Sequence, residues 1–306
     1  MFWSKFKSFV NVGEQVKFYN KMMTSDLLYK LRKERFSEKT LFSTEQGITS
    51  NPICDKEVIV SLTTYGNRIN EVYLSIESIM QGTVKPNRII LWISEEFCGK
   101  KLPITLQKQA ERGLEIEYCK DIRSYTKLIP ALRTYPESVI ITIDDDAIYD
   151  FDVVEKLVNS YQVNPHHIHA NRIHKITMND DGTPKSYNNW VWCCNEYGIS
   201  HLNFLTGVGG VLYPPHCFDS AVFDEEVFLN ICKTADDIWF YLMALKKGTF
   251  IQKVYTHSQN GEDYILNENP SEIGLLVENI NNENCQNDVQ LRAVLSHYKM
   301  KLSDYK

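Results

Sequence analysis

At 306 residues, 43% hydrophobic and 24% charged, the chain has the size and composition of a globular protein with room for a large core. A formal net charge of -6 provides no basic surface for nucleic acid, so no nucleic-acid partner is expected. The longest apolar runs, Val58–Leu62, Ile89–Ile93 and Val139–Ile143, are strand-sized and far short of the ~18 residues that suggest a membrane-spanning helix.

Residues 1–50 stand apart as a basic, aromatic, helical extension. Phe2, Phe6, Phe9 and Val10 recur at helical spacing around Lys5 and Lys7, and Lys17, Lys21, Lys30, Arg32, Lys33 and Arg35 follow against few acids. Such a segment suits either an anionic membrane surface or a face of the main domain. The opening MFWSKFKSF has no apolar stretch behind it and does not read as a signal peptide. The expectation is a cytoplasmic protein, with peripheral contact at the inner face of the cell membrane if the extension binds lipid.

From Glu57 apolar strands alternate with helices. Strands are expected at Val58–Tyr65, Arg88–Ser94, Leu114–Cys119 and Ser138–Ile143, with helices at Glu71–Gln81, Ser124–Tyr135 and Asp152–Asn164. Continuous apolar strands separated by helices imply a parallel sheet covered on both faces. Further on, His167–Ile176 alternates like a half-exposed strand, Asp236–Gly248 reads as an amphipathic helix and Phe250–His257 as a last strand. The organisation expected is an α/β catalytic domain over residues 51–260 and a C-terminal helical tail over 261–306.

Eight cysteines, with no CxxC pair among them, read as reduced and mostly buried thiols. The adjacent Cys193 and Cys194 are unusual in that pattern. His166, His167, His169 and His174 have the spacing of a strand face rather than a chelate, which favours a structural or acceptor-facing role.

The chemistry concentrates at two acidic clusters. The strand Ser138–Ile143 runs into Asp144, Asp145 and Asp146 at the carboxyl edge of the expected sheet, where ligands of open α/β folds bind. That much negative charge calls for a cation, and in extended backbone Asp144 and Asp146 point the same way. Oxygen ligands select Mg2+ or Mn2+. An acidic turn or helix cap is the plainer alternative, but three acids exceed what a cap requires.

TIDDDAIYD resembles the DXD motif of GT-A glycosyltransferases. SLTTYGNR, DIRSYTKLIPAL, TGVGGVLYPP and DDIWFYLMALKKG match the order of elements of that fold over Glu57–His257. The likeness is to the inverting family that includes many bacterial capsule and lipopolysaccharide transferases. It implies a GT-A, Rossmann-like, mostly parallel sheet flanked by helices. It also implies a nucleoside diphosphate sugar donor, with UDP as the default nucleotide, and a carbohydrate or lipid-linked oligosaccharide acceptor.

By that resemblance Thr63, Thr64, Tyr65, Arg68 and Asp121 would hold nucleobase and ribose. Lys127 would approach the diphosphate, with Arg123 a weaker candidate, and Asp144 would touch ribose. Asp146 with Asp144 would bind the metal, Asp145 being the spare, and His257 would be a further ligand. Of the pair Asp236 and Asp237, the second would be the general base. Gly209, Gly210 and Trp190 would line the donor and acceptor site. A retaining enzyme of the same fold, a sugar-phosphate nucleotidyltransferase and a non-catalytic carbohydrate-binding protein are the competing readings. SLTTYGNR lacks the Gly-rich basic loop of the nucleotidyltransferase.

Overall fold

The computed structural model describes residues 23–258, 261–266 and 285–305. The aromatic cluster around Phe2, Phe6 and Phe9 lies outside the described residues. Helix α1 is described over residues 23–42. It is followed by β1 (Val58–Thr63), α2 (Tyr73–Met80), β2 (Arg88–Ser94), α3 (Ile104–Ala110), β3 (Leu114–Cys119), α4 (Ile129–Thr134), β4 (Val139–Thr142), β5 (Ala147–Tyr149) and α5 (Val153–Val163). Short strands come next: β6 (Ile168–Ala170), β7 (Ile173–Lys175), β8 (Gly198–Ser200), β9 (Asn203–Leu205) and β10 (Val211–Tyr213). The chain continues through α6 (Glu225–Ile231), α7 (Asp236–Lys247), β11 (Ile251–Lys253), β12 (Tyr264–Leu266) and α8 (Gln286–His297).

Eight strands form one sheet in the order β3-β2-β1-β4-β10-β6-β11-β8. β1, β2, β3 and β4 are parallel, β10 runs antiparallel to β4 and β6, and β11 is parallel to β6. This mostly parallel sheet with helices on both faces is the GT-A, Rossmann-like class expected. Alternate residues of β1 serve two cores: Ile59 packs with Ile90, Trp92 and Ile140, whereas Val58, Val60 and Leu62 pack with Ile89 and Leu91 on the other face. Burial on both faces is why these strands read as unbroken apolar runs.

Several elements differ from the expectation. The strand His167–Ile176 is two strands in two sheets: β6 joins the large sheet and β7 pairs with β9. The chain turns between them, where the Asn171 side chain donates to Gly209 O at 3.1 Å. The helix Ser124–Tyr135 splits into a 3-10 turn, Arg123–Lys127, and α4, which starts beside Pro130. Proline there lacks the N–H that would join the two segments. Asp152 sits at the start of α5, but its carboxylate turns to Lys156 and His257 and caps no backbone N–H. None of the cysteines is in a disulfide, and Cys193 adopts a left-handed φ of 48° beside the buried Cys194.

Helix α1 packs on the main domain. Tyr29 and Phe36 enter the core, Arg32 pairs with Asp150 at 2.6 Å, and Thr40 donates to the Glu77 carboxylate at 3.0 Å. Glu77 is fully buried, and Arg112 grips both its oxygens at 2.9 and 3.0 Å while also donating to Glu45 O at 2.7 Å. At the other end, Leu291 and Val294 of α8 share a core with α7, and Asp288 receives Ser186 and the Tyr187 N–H.

Removing one partner of a buried ion pair costs about 3–5 kcal/mol because the other charge is left uncompensated. Arg112→Met should lose about that much in urea unfolding, and Glu77→Leu with Arg112→Met together should lose less. A double variant as unstable as the single one would show that charge is not what ties α1 to the domain.

Candidate active site

The site lies where the sheet order turns back at β1, between the carboxyl ends of β1 and β4, the crevice in which open α/β sheets bind ligands. Val58–Ser61 and Val139–Thr142 run side by side in register. Their exits, Thr63–Tyr65 and Asp144–Asp146, are therefore neighbours. The aspartates occupy a tight turn between β4 and β5, not extended backbone. From that turn Asp144 reaches Lys127, while Asp145 and Asp146 share Arg68.

Asp145 is buried and structural. It accepts Thr64 Oγ1 at 2.6 Å and Arg68 Nη1 at 2.9 Å, so it fixes the loop after β1. The same Arg68 nitrogen lies 3.0 Å from Asp146. Burial, then Asp144 and Asp145, raise the Asp146 carboxyl above its ordinary range, with Arg68 opposing. Asp144 instead faces Lys127, whose Nζ is 2.9 Å from Asp144 and 3.0 Å from Asp236. Burial would discharge Lys127, yet Asp144, Asp236 and Asp237 hold its affinity for the proton well above normal.

Ser61 of β1 donates to Lys127 O at 2.6 Å and receives the Trp92 indole N–H at 3.0 Å, which pins the lysine's backbone to the sheet. Its side chain then crosses to the head of α7. There Asp237 accepts the Gly207 N–H at 3.1 and 3.0 Å. Burial first and Asp236 next raise the Asp237 carboxyl well above the usual range, while Lys127 and the Gly207 N–H pull it back.

A Cβ on Gly207 would stand 2.8 Å from Lys127 Nζ and 3.0 Å from Asp237 Oδ1. A side chain there would therefore displace the Lys127 ammonium or the Asp237 carboxylate from its present position. Tyr149 ties the two halves: its buried hydroxyl accepts the Asp144 N–H at 2.9 Å and donates to Val208 O at 3.1 Å.

The structure therefore brings together Thr64, Arg68, Lys127, Asp144, Asp145, Asp146, Asp236 and Asp237. Other expected residues stand elsewhere or in other roles. Thr63 donates to Trp92 O at 2.9 Å, and Tyr65 is 72% exposed on the same loop. Asp121 accepts the Arg123 N–H at 2.7 Å, shaping the turn that carries Lys127. His257 pairs with Asp152 at 2.6 Å, and no hydrogen bond or ion pair joins it to the triplet among the described residues.

Trp190 is buried against Tyr187 and Phe204 and donates to Lys185 O, so its ring faces the core. Gly209 backs onto Arg172, and Gly210 continues into β10 with φ 84°. His169 is held by Ser160 and Asn164, and His174 stacks on Trp192. Burial lowers their affinity for protons to about 4 and about 3. They are packed core histidines.

The donor set suits a hard cation only in part. Among the described residues no three His, Cys, Asp or Glu side chains gather for a metal. Asp146 is the most open of the triplet, and one or two carboxylates are what Mg2+ uses when phosphate oxygens and water complete its shell. Two further residues are essential to this geometry, Tyr149 and Gly207. Gly207 carried a signal as one of three glycines in a strand-like run. Tyr149 carried none.

No protein-family model matches the chain, and no curated protein sequence matches it. Among solved structures it is similar to a mannosyltransferase from Pyrobaculum calidifontis in complex with GDP-Man and Mn2+, at 17% identity and a TM-score of 0.33. That match covers 48% of this chain and 43% of the mannosyltransferase, less than half its length. It is also similar to the inositol-1-phosphate CTP transferase from T. maritima, at 12% identity and a TM-score of 0.38, over 66% of this chain and 86% of the other. Likenesses this distant carry nothing about activity.

A carboxyl raised by the fold penalises folding once it ionises. For Asp237 the stability is fully present below the ordinary carboxylate pKa and is lost as pH rises through the raised value. Asp237→Asn removes that loss. It should be more stable than the parent in urea at pH 8 and close to it at pH 3. A variant less stable at pH 8 would show that the carboxylate is net favourable there.

Proposed function

We propose that the protein is a glycosyltransferase. It would move a sugar from a nucleoside diphosphate sugar, with UDP as the default nucleotide, to a carbohydrate or lipid-linked oligosaccharide acceptor, with inversion. The observation that carries this reading is Lys127, buried and charged between Asp144 of the triplet and Asp236 beside Asp237. One cation thereby links a nucleotide-side cluster to a base-side cluster.

In the proposed reaction the acceptor oxygen forms a bond to the anomeric carbon as the bond from that carbon to the diphosphate oxygen breaks. The electron pair leaves with the diphosphate, and the hydroxyl proton passes to Asp237. The raised proton affinity of Asp237 suits that role, and the Gly207 N–H fixes the carboxylate's orientation. Lys127 stabilises the charge that grows on the leaving group. Thr64 and Arg68, held by Asp145, shape the wall for nucleobase and ribose, with Thr63, Tyr65 and Asp121 around it. Asp146 and Asp144 are the residues that would hold Mn2+ or Mg2+, which supplies Lewis-acid stabilisation of the diphosphate when bound. His257 would join that set only by leaving Asp152.

The setting proposed is synthesis of surface polysaccharide at the inner face of a bacterial membrane. Among the described residues no helix is long and apolar enough to cross a membrane. Instead α1 exposes Met23, Leu27 and Leu31 at four-residue spacing, each more than half exposed, and this row suits peripheral contact with anionic lipid. Leu27→Glu with Leu31→Glu should leave the fold intact and release the chain from vesicles containing anionic phospholipid. Unchanged vesicle binding would exclude this face.

The reaction is tested with nucleoside diphosphate sugars, Mn2+ and saccharide acceptors, reading turnover and the anomeric configuration of the product. Asp237→Asn should lose about a hundred- to ten-thousand-fold in turnover with nucleotide affinity nearly unchanged. Asp236→Asn should lose less, and Asp146→Ala should lose the Mn2+-dependent part of nucleotide binding. Retention of configuration, or full turnover by Asp237→Asn, would overturn the inverting mechanism.

A further inference from the structure

The cations around the site are matched to carboxylates, with two exceptions. Lys127 has Asp144 and Asp236, Arg68 has Asp145 and Asp146, and Lys156 has Asp152 and Asp263. Lys253, buried nearby, has no carboxylate but is satisfied by Val254 O at 2.6 Å and Thr256 Oγ1 at 3.2 Å. Arg172 is partly buried, and among the described residues no carboxylate lies at ion-pair distance from it. Its Nη1 donates to Thr206 Oγ1 at 3.1 Å, the Cys193 thiol lies beside it, and its Nε is buried with no partner. Burial opposes its charge, and Tyr264, Cys193 and, from beyond ion-pair distance, Glu262 favour it.

Arg172 is also firmly placed. The turn between β6 and β7 holds its backbone, and its carbonyl accepts both the N–H and the hydroxyl of Thr206, at 3.2 and 3.1 Å. Glycines press on it from two loops: a Cβ on Gly209 would lie 2.6 Å from Arg172 Cβ, and one on Gly261 would lie 3.1 Å from its Cα. Thr206 directly precedes Gly207, whose N–H holds Asp237. On the other flank is Tyr264 of β12, the strand paired with β5 just after the triplet. The phenol of Tyr187 feels both Asp237 and Arg172, and that of Tyr264 feels both Arg172 and Asp144. Arg172 thus stands between the two acidic clusters, where saccharide would be held.

We propose that Arg172 is a specificity residue that binds an oxyanion on the saccharide itself, a carboxylate or phosphate carried by either the transferred sugar or the acceptor. The terminal nitrogens of a planar guanidinium offer the paired donors that such groups accept. The proposal rests on the glycosyltransferase reading for the identity of the ligand as a saccharide. It does not need Asp237 to be the base.

The test uses the full chain with Mn2+ and measures affinity by calorimetry. In the donor arm UDP-glucose is compared with UDP-glucuronate, and GDP-mannose with GDP-mannuronate. In the acceptor arm methyl glucoside is compared with methyl glucuronide and with glucose 6-phosphate. Wild type should favour the anionic member by about ten- to a hundred-fold in one arm, the range of a charge-assisted hydrogen-bonded contact. Arg172→Met should bring that ratio close to one and leave UDP and GDP binding unchanged, and Arg172→Lys should keep part of it.

A merely structural arginine would weaken neutral and anionic ligands alike. No anionic preference in either arm, or one that survives in Arg172→Met, overturns the proposal. If no nucleotide binds, the glycosyltransferase reading fails, and the acceptor-arm saccharides still decide the role of Arg172. If Arg172→Met does not fold, a several-fold smaller preference in Arg172→Lys upholds the proposal and an unchanged one overturns it.

Discussion

Asp144, Asp145, Asp146, Asp236 and Asp237 meet at one end of the sheet, and their mutual repulsion is the constraint around which the site is built. Two unit charges 4 Å apart interact by about 4 kcal/mol at an effective dielectric constant near 20. A cluster of this kind cannot persist without internal cations. Lys127 and Arg68 supply them, each shared between two carboxylates. Lys127 serves only because Ser61 anchors its carbonyl to β1 and because Gly207 leaves room for its ammonium beside Asp237. Ser61 on β1, a lysine on a 3-10 turn and a glycine in the loop before β10 thus solve a single electrostatic problem.

Even so, the neutralisation is incomplete, and the shortfall shows in the raised proton affinity of Asp146 and Asp237. A fold optimised only for stability would replace one of these acids with an amide. Acids held in poorly solvated positions, against a cost that grows as they ionise, fit the proposed chemistry better than a purely structural role. Tyr149 limits the damage. Its hydroxyl bonds the backbone on both sides of the crevice, so repulsion between the clusters cannot open the turn at Asp144 away from the turn at Val208.

Much of this was legible in the sequence because it follows from local rules. Strands buried on both faces must be apolar throughout, so β1, β2 and β4 stood out, and with them the position of the triplet at the end of β4. The pair at the head of α7 was visible for the same reason. What could not be read was the direction each carboxylate takes, since that depends on whether Asp144–Asp146 is extended or turned. Likewise β7, β9 and β12 are three-residue strands outside the large sheet, too short to show a period. Trp190 illustrates another limit: a tryptophan in a polar loop looks available for a sugar ring, but burial against Tyr187 and Phe204 is a matter of tertiary packing.

The charge balance also restricts how a nucleotide can enter under the proposed reading. Five carboxylates against Lys127, Arg68 and Arg172 leave the crevice negative, and a bare diphosphate would add to that excess. Entry is favourable only if positive charge arrives with it, as it would for a diphosphate already carrying a divalent cation. Arg68 is the resident group best placed to respond, because its guanidinium bridges the buried Asp145 and the open Asp146. Asp145 keeps its hold on Arg68 and Thr64 whatever happens at Asp146, so the loop after β1 stays in place while the outer carboxylate is free to exchange an arginine for an incoming cation. On that reading the triplet divides by function: Asp145 secures the wall, and Asp144, which also faces Lys127, is shared with the incoming cation together with Asp146.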